Sequence, residues 1–163
     1  MVANHAALAR GARPLDVGDV EQVIAIDRAH TGRTRRHFFE KRFAAAKARP
    51  EDFVHVGVPS FGPLRGFAIA RILRGEFGRE DASAVLDAVG VEPASQERGV
   101  GQALMHALIE NLRRMGVRSL HSQADWTNHR LLHFFDGSGF SLAPRLTLER
   151  SAVEPLNETN EQV

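Results

Sequence analysis

Apolar positions along the chain change their period several times, and each change marks an element. Val20, Val23 and Ile24 form a helical stripe that runs to about His30. Asp19 stands where its N-cap would be, with Gln22 three residues on as the capping-box partner. The turn HTGRTRR (30–36), marked by Gly32, leads into a second helix with Phe39, Phe43 and Ala46 on one face, and Pro50 stops it. The period then shortens. Residues 52–58, 64–74 and 83–91 read as strands, separated by the turn from Pro59 to Pro63 and by the loop GEFGRED. A short strand over 12–16 precedes them all. Strands that follow one another through short turns predict an antiparallel meander. The strongest helix is GVGQALMHALIENLRRM, where Val100, Leu104, Leu108, Leu112 and Met115 recur at three and four, and Gly116 is placed as its C-terminal cap. Residues 117–124 give a further strand. A short helix over Asn128–Asp136 turns Leu131, Leu132 and Phe135 inward and ends at GSG, and FSLAPRLTLER (140–150) closes the chain as a hairpin.

Composition narrows what such a chain can do. At 163 residues it is one domain, placed at 1–150, with Ser151–Val163, which carries three Glu and no base, as a poorly ordered acidic tail. The net charge of +1 argues against a nucleic-acid binder, although residues 1–50 carry ten Arg or Lys against five Asp or Glu. The absence of cysteine excludes disulfides, thiolate metal sites and a cysteine nucleophile. No run of 18 apolar residues exists to span a membrane, and the first residues lack the pattern of a secretory signal. A cytoplasmic protein is expected.

One segment carries chemistry. After the strand ending at Val91 comes Gln96-Glu97-Arg98-Gly99-Val100-Gly101, and the long helix begins at once. Glycines without Cβ let a ligand approach the backbone. The first N–H groups of a helix have no internal partner, so a phosphate gains their hydrogen bonds and the positive end of the dipole. Arg98 adds a formal charge. A dinucleotide fingerprint would need glycine at position 104, where Leu104 stands, and no Walker Gly-Lys-Ser/Thr exists. The bland alternative is that the glycines simply open a helix.

These residues resemble the Gln/Arg-x-x-Gly-x-Gly/Ala signature of the GNAT superfamily of acetyl-CoA-dependent N-acetyltransferases. AVGVEP resembles that superfamily's fourth strand, Arg65-Gly66-Phe67 its third-strand Gly-Phe, and Asn128 to Phe140 its Asn…Phe-Tyr…Gly-Phe block. The resemblance implies an α/β fold: a mixed, mostly antiparallel sheet of six or seven strands, helices on both faces, splayed at strands four and five. It implies that amides around Arg98, Gly99, Val100, Gly101, Gln102 and Ala103 cradle the pyrophosphate of coenzyme A. The backbone of Val89 and Val91 would bind the pantetheine arm, and Asn128 would contact the pantetheine or acetyl region. Acetyl-CoA would be the co-substrate, without a metal. A small-molecule or peptide amine would accept the acetyl group by direct attack, and a homodimer is compatible with the family. The alternative is a non-catalytic acyl-CoA-binding or regulatory module.

The chain departs from the family at Phe135, which stands where a tyrosine often protonates the leaving thiolate; the chain has no tyrosine at all. For the base, period-two alternation puts Asp87 on one face with Val89 and Val91, which makes it the first candidate. Glu92, Asp125 and His121 rank below it. His129 and His133, four apart, lack a third ligand with supporting spacing. Arg33 to Arg36 reads as a solvated helix start or as a face for an acidic acceptor. Trp126 reads as pocket lining or as core.

Overall fold

The computed structural model describes residues 11–59, 62–75, 78 and 80–153; most of the expected tail lies outside these. The chain runs β1 (Arg13–Pro14), α1 (Val20–Thr31), α2 (Arg36–Ala48), β2 (Phe53–Pro59), β3 (Leu64–Leu73), β4 (Ser83–Val91), α3 (Val100–Arg114), β5 (Ser119–His121) and α4 (His129–Gly137). Among the described residues the sheet has five strands in the order β1-β2-β3-β4-β5. Neighbours are antiparallel except β4 and β5, which pair in parallel. The α/β class and the mixed sheet agree with the sequence reading. The count of six or seven strands does not.

The difference lies in residues 140–150, which form no strand. Leu142, Leu146 and Leu148 are 99%, 89% and 89% exposed, so the alternation is present without a surface to pack on. β5 is also shorter than the expected 117–124, and an edge three residues long offers little for another strand to pair with.

Two apolar layers sandwich the sheet. On one face Val23, Ile24 and Ile26 of α1 and Phe39 and Phe43 of α2 pack on Phe67, Ile69 and Ala88. On the other, Val100, Leu104, Met105, Leu108 and Leu112 of α3 pack on Val54, Val56, Ala68, Ala70, Ala84 and Leu86. Burial of each such large side chain contributes about 1.5–3 kcal/mol, so α3 is held chiefly by its apolar stripe.

The start of α1 differs in detail from its prediction. Asp16, not Asp19, accepts from the Gly18 N–H (2.7 Å), and the Asp19 carboxylate accepts from the Asp16 N–H (2.9 Å). Asp19 is buried and held by both Arg13 Nη groups at 2.7 Å. Gln22 accepts the Leu64 N–H across the fold instead of closing a cap. In α4, Phe135 is buried and Leu131 packs on the core as expected, but Leu132 is exposed and Phe134 takes the inward position.

Candidate active site

β4 and β5 pair only at Ser83–Ser119, Ala84–Leu120 and Val85–His121. Beyond that point no strand pairs with the β5-facing edge of β4 over Leu86–Val91; side chains reach two of its carbonyls, Ser122 Oγ at Leu86 O (3.5 Å) and His30 Nε2 and Gln96 Nε2 at Val91 O (2.6 and 3.4 Å). The Glu92 N–H donates to Arg65 O on β3 (2.7 Å), so alternation turns the Val91 and Val89 backbone groups to the open edge. A cleft of about 760 Å³ runs along that edge, bounded by the start of α3, by α4 and by the end of α1.

The loop before α3 is shaped for an anion. Gly99 takes φ +80° as the N-cap, and Glu97 takes φ +59°, which is uncommon for a residue with a Cβ. The first α3 amide with a helical acceptor is that of Ala103, donating to Gly99 O at 3.0 Å. The N–H groups of Val100, Gly101 and Gln102 therefore have no helical partner and lie at the mouth of the cleft. This corrects the expectation for Ala103: its amide is spent within the helix and its side chain is core. Arg98 is exposed and does not line the cleft.

Gly101 has a packing role that its sequence context does not reveal. A Cβ there would stand 2.7 Å from Phe134 Cε2 on α4. Gln102 reaches the same helix end, donating from Nε2 to Gly137 O (3.0 Å) and Ser138 Oγ (3.3 Å). The α3 N-terminus and α4 are thus fastened to each other.

Val89, Val91, Gly99, Val100, Gly101, Gln102 and Asn128 line one cleft, as does Phe135. Asn128 also serves as the N-cap of α4, its Oδ1 accepting the Leu131 N–H at 3.2 Å. Phe135 lies against Phe140, with ring centroids 4.8 Å apart.

Asp87 lines the cleft but not in the predicted phase. Ile69 pairs with Ala88 and Ala70 with Leu86, so Asp87 is the extra residue of a β-bulge. Leu86, Val89 and Val91 belong with the α3 face, whereas Ala88 belongs with the α1–α2 face. Asp87 turns to that second face, where Arg71 Nε meets both its oxygens (3.0 and 2.7 Å) and Arg42 Nε lies 2.7 Å from Oδ2. Its carboxylate is buried between two guanidiniums, on the opposite face from Val89 and Val91.

The other candidates are also occupied. Glu92 accepts from Ser95 Oγ (2.7 Å). Asp125 accepts from the Thr127 N–H and hydroxyl (2.9 and 2.6 Å), which hold its carboxyl below the usual range. His121 sits on the paired part of β5, 3.1 Å from Ser119 Oγ, outside the cleft lining. Trp126 is 82% exposed and neither lines the cleft nor fills core. Arg35 grips Asp27 through two bonds and Arg36 pairs with Glu21, so two of the three arginines in the basic run are matched within the chain, and Arg33 is exposed. Among the described residues no group of three or more His, Asp or Glu is placed to hold a metal, and no helix is long and apolar enough to cross a membrane.

Sequence reasoning missed three cleft residues of α1: Asp27, His30 and Thr31. Asp27 is buried and bonded to Arg35, and His30 Nε2 lies 2.6 Å from Val91 O. Only the i, i+3 spacing of Asp27 and His30 hinted at a shared face.

Comparison with known proteins agrees with this geometry. The acetyltransferase (GNAT) family matches residues 21–140. The chain is 29% identical over 112 residues to the [ribosomal protein bS18]-alanine N-acetyltransferase of Escherichia coli K12, covering 67% of this chain and 70% of that one. It is 35% identical over 54 residues to mycothiol acetyltransferase of Propionibacterium freudenreichii, a match that spans 33% of this chain and only 17% of that protein. The structure of AAC(6')-Iy in complex with the bisubstrate analogue CoA-S-monomethyl-acetylneamine superposes with a TM-score of 0.68 at 18% identity, covering 86% of this chain and 96% of that one. The family match extends from α1 to the end of α4, through the open edge of β4 and the glycine loop, and the chain belongs to the acetyltransferase (GNAT) family.

Proposed function

We propose that this enzyme transfers the acetyl group of acetyl-CoA to a primary amine by direct attack. The observation that carries the reading is the continuity of the unpaired N–H groups of Val100, Gly101 and Gln102 with the open edge at Val89 and Val91. Those amides suit a pyrophosphate, and an extended arm along β4 would end beside Val89 and Asn128. The amine enters from the α1–α2 side. Holding both reactants in one cleft supplies much of the rate, since fixed geometry replaces a bimolecular encounter. A thiol titrates near 8.5, so its thiolate leaves acceptably at neutral pH without a tyrosine at position 135.

The acceptor is a single amine on a small molecule or peptide. The activity of the Escherichia coli relative, an alanine N-acetyltransferase of a ribosomal protein, supports including peptides that begin with alanine. Coenzyme A release should be followed with such peptides, free amino acids, polyamines and aminoglycosides. Calorimetry should show acetyl-CoA binding, and Gly99→Ala should weaken it at least about tenfold, because alanine strains the φ +80° cap that aims the amides. Binding without turnover on any amine would favour the non-catalytic module, and unchanged affinity in folded Gly99→Ala would move the cofactor site elsewhere.

A further inference from the structure

The geometry points to His30 as the general base that takes a proton from the incoming ammonium. This inference rests on the acetyl-transfer reading above. His30 follows the buried Asp27 by three residues near the end of α1, is exposed, and lines the cleft. Its Nε2 lies 2.6 Å from Val91 O. A carbonyl oxygen only accepts, so Nε2 carries the hydrogen, and in the neutral ring Nδ1 holds the lone pair. Nδ1 has no partner among the described residues. The imidazole is therefore oriented by one nitrogen and keeps an unpartnered lone pair at the other, the arrangement of a base with its orienting group. The orienting group is the carbonyl of Val91, which leaves the Val91 N–H and the Val89 backbone for the cofactor arm.

Most of the other titratable or charged groups lining the cleft are already engaged. Asp27, three residues earlier on α1, gives both oxygens to Arg35. Asp87 is held by Arg42 and Arg71. Glu97 sits in the loop beside the α3 amides, and Arg130 of α4 donates to Gln96. His133, on α4 across the cleft, and the Glu97 carboxylate, in the loop before α3, are the two remaining competitors.

The proton accounting closes. One N–H proton of the ammonium passes to His30 Nδ1. The neutral amine attacks the acetyl carbonyl carbon, the C–N bond forms and the C–S bond breaks. The second amine proton ends on the thiolate sulfur, and the imidazolium returns its proton to water.

Two measurements test this. In the free protein, long-range ¹⁵N correlation spectra should show neutral His30 as the Nε2–H tautomer, identified by its loss in His30→Gln; the Nδ1–H tautomer overturns the assignment. With a competent acceptor, His30→Gln keeps an amide N–H for Val91 O but has no lone-pair nitrogen. Its kcat at pH 7 should fall about 10²-fold, with the acid limb of the kcat profile lost and acetyl-CoA affinity within about twofold of wild type. His133→Gln and Glu97→Gln should each retain the acid limb. A His30→Gln profile that overlays wild type, or loss of the limb in His133→Gln or Glu97→Gln instead, overturns the inference while leaving acetyl transfer standing. A wild-type protein that binds acetyl-CoA yet acetylates no amine overturns both.

Discussion

Replacing Asp87 with Asn tests what that carboxylate is for. The side chain is 6% exposed and faces Arg42 and Arg71, whose side chains are 26% and 34% exposed. Removing one member of a buried pair costs about 3–5 kcal/mol, because the partner charge is left without compensation. Here the stranded guanidiniums keep some access to water, which brings the expected loss to about 2–3 kcal/mol. For a chain of this size each kcal/mol moves Tm by about 2–4 °C, so Asp87→Asn should melt roughly 4–12 °C below wild type. Thermal unfolding at pH 7 followed by circular dichroism reads this directly. Activity provides a second discriminator. Were Asp87 the base, the loss in kcat would shrink as rising pH supplies free amine. An ion-pair role gives a loss that is the same at every pH where the variant is folded. A Tm within about 1 °C of wild type, together with a kcat defect that disappears at high pH, would refute the structural assignment and return Asp87 to the proton path.

Three further outcomes follow from particular contacts. His55 is buried between Phe43 and Phe53, its Nε2 has no hydrogen-bond partner, and desolvation pushes its pKa down to about 4. The unfolded chain binds this proton near pH 6.5 and the folded chain resists it, so stability should fall by about 3 kcal/mol as pH drops from 6.5 to 4, and His55→Phe should flatten that slope in urea titrations. Gly101→Ala drives a Cβ against the Phe134 ring, and overpacking of this kind costs about 1–3 kcal/mol; unchanged stability would mean that α4 shifts freely. Phe135→Tyr should fold and raise kcat severalfold by protonating the leaving thiolate, while a lost affinity for acetyl-CoA would show that the hydroxyl disrupts the cleft instead.

The sequence disclosed the elements whose signal is local and repeated. α3 was legible because five apolar positions recur over four turns, and β4 was bounded correctly by its flanking turns. The glycine loop was legible because helix starts and glycines have fixed chemistry. What failed depended on partners distant in sequence. The phase of Asp87 turned on a bulge set by pairing with β3, and no period-two count on β4 alone contains that residue's change of side. The strand pattern at 140–150 was real as alternation but had no face to bury. His30 was invisible because its meaning comes from Val91, 61 residues away.

The fastening of α3 to α4 has a consequence for how the molecule opens. Gly101 packs on Phe134, and Gln102 holds Gly137 and Ser138. The first turn of α3 and the whole of α4 therefore belong to one cooperative unit, so α4 cannot fray without releasing the turn whose amides face the cleft. Any ligand that binds those amides draws its stabilisation from the closed state, and mass action extends that protection to amide hydrogens of α4 that the ligand never touches. Slowed hydrogen exchange at one helix is thereby bound to occupancy at another.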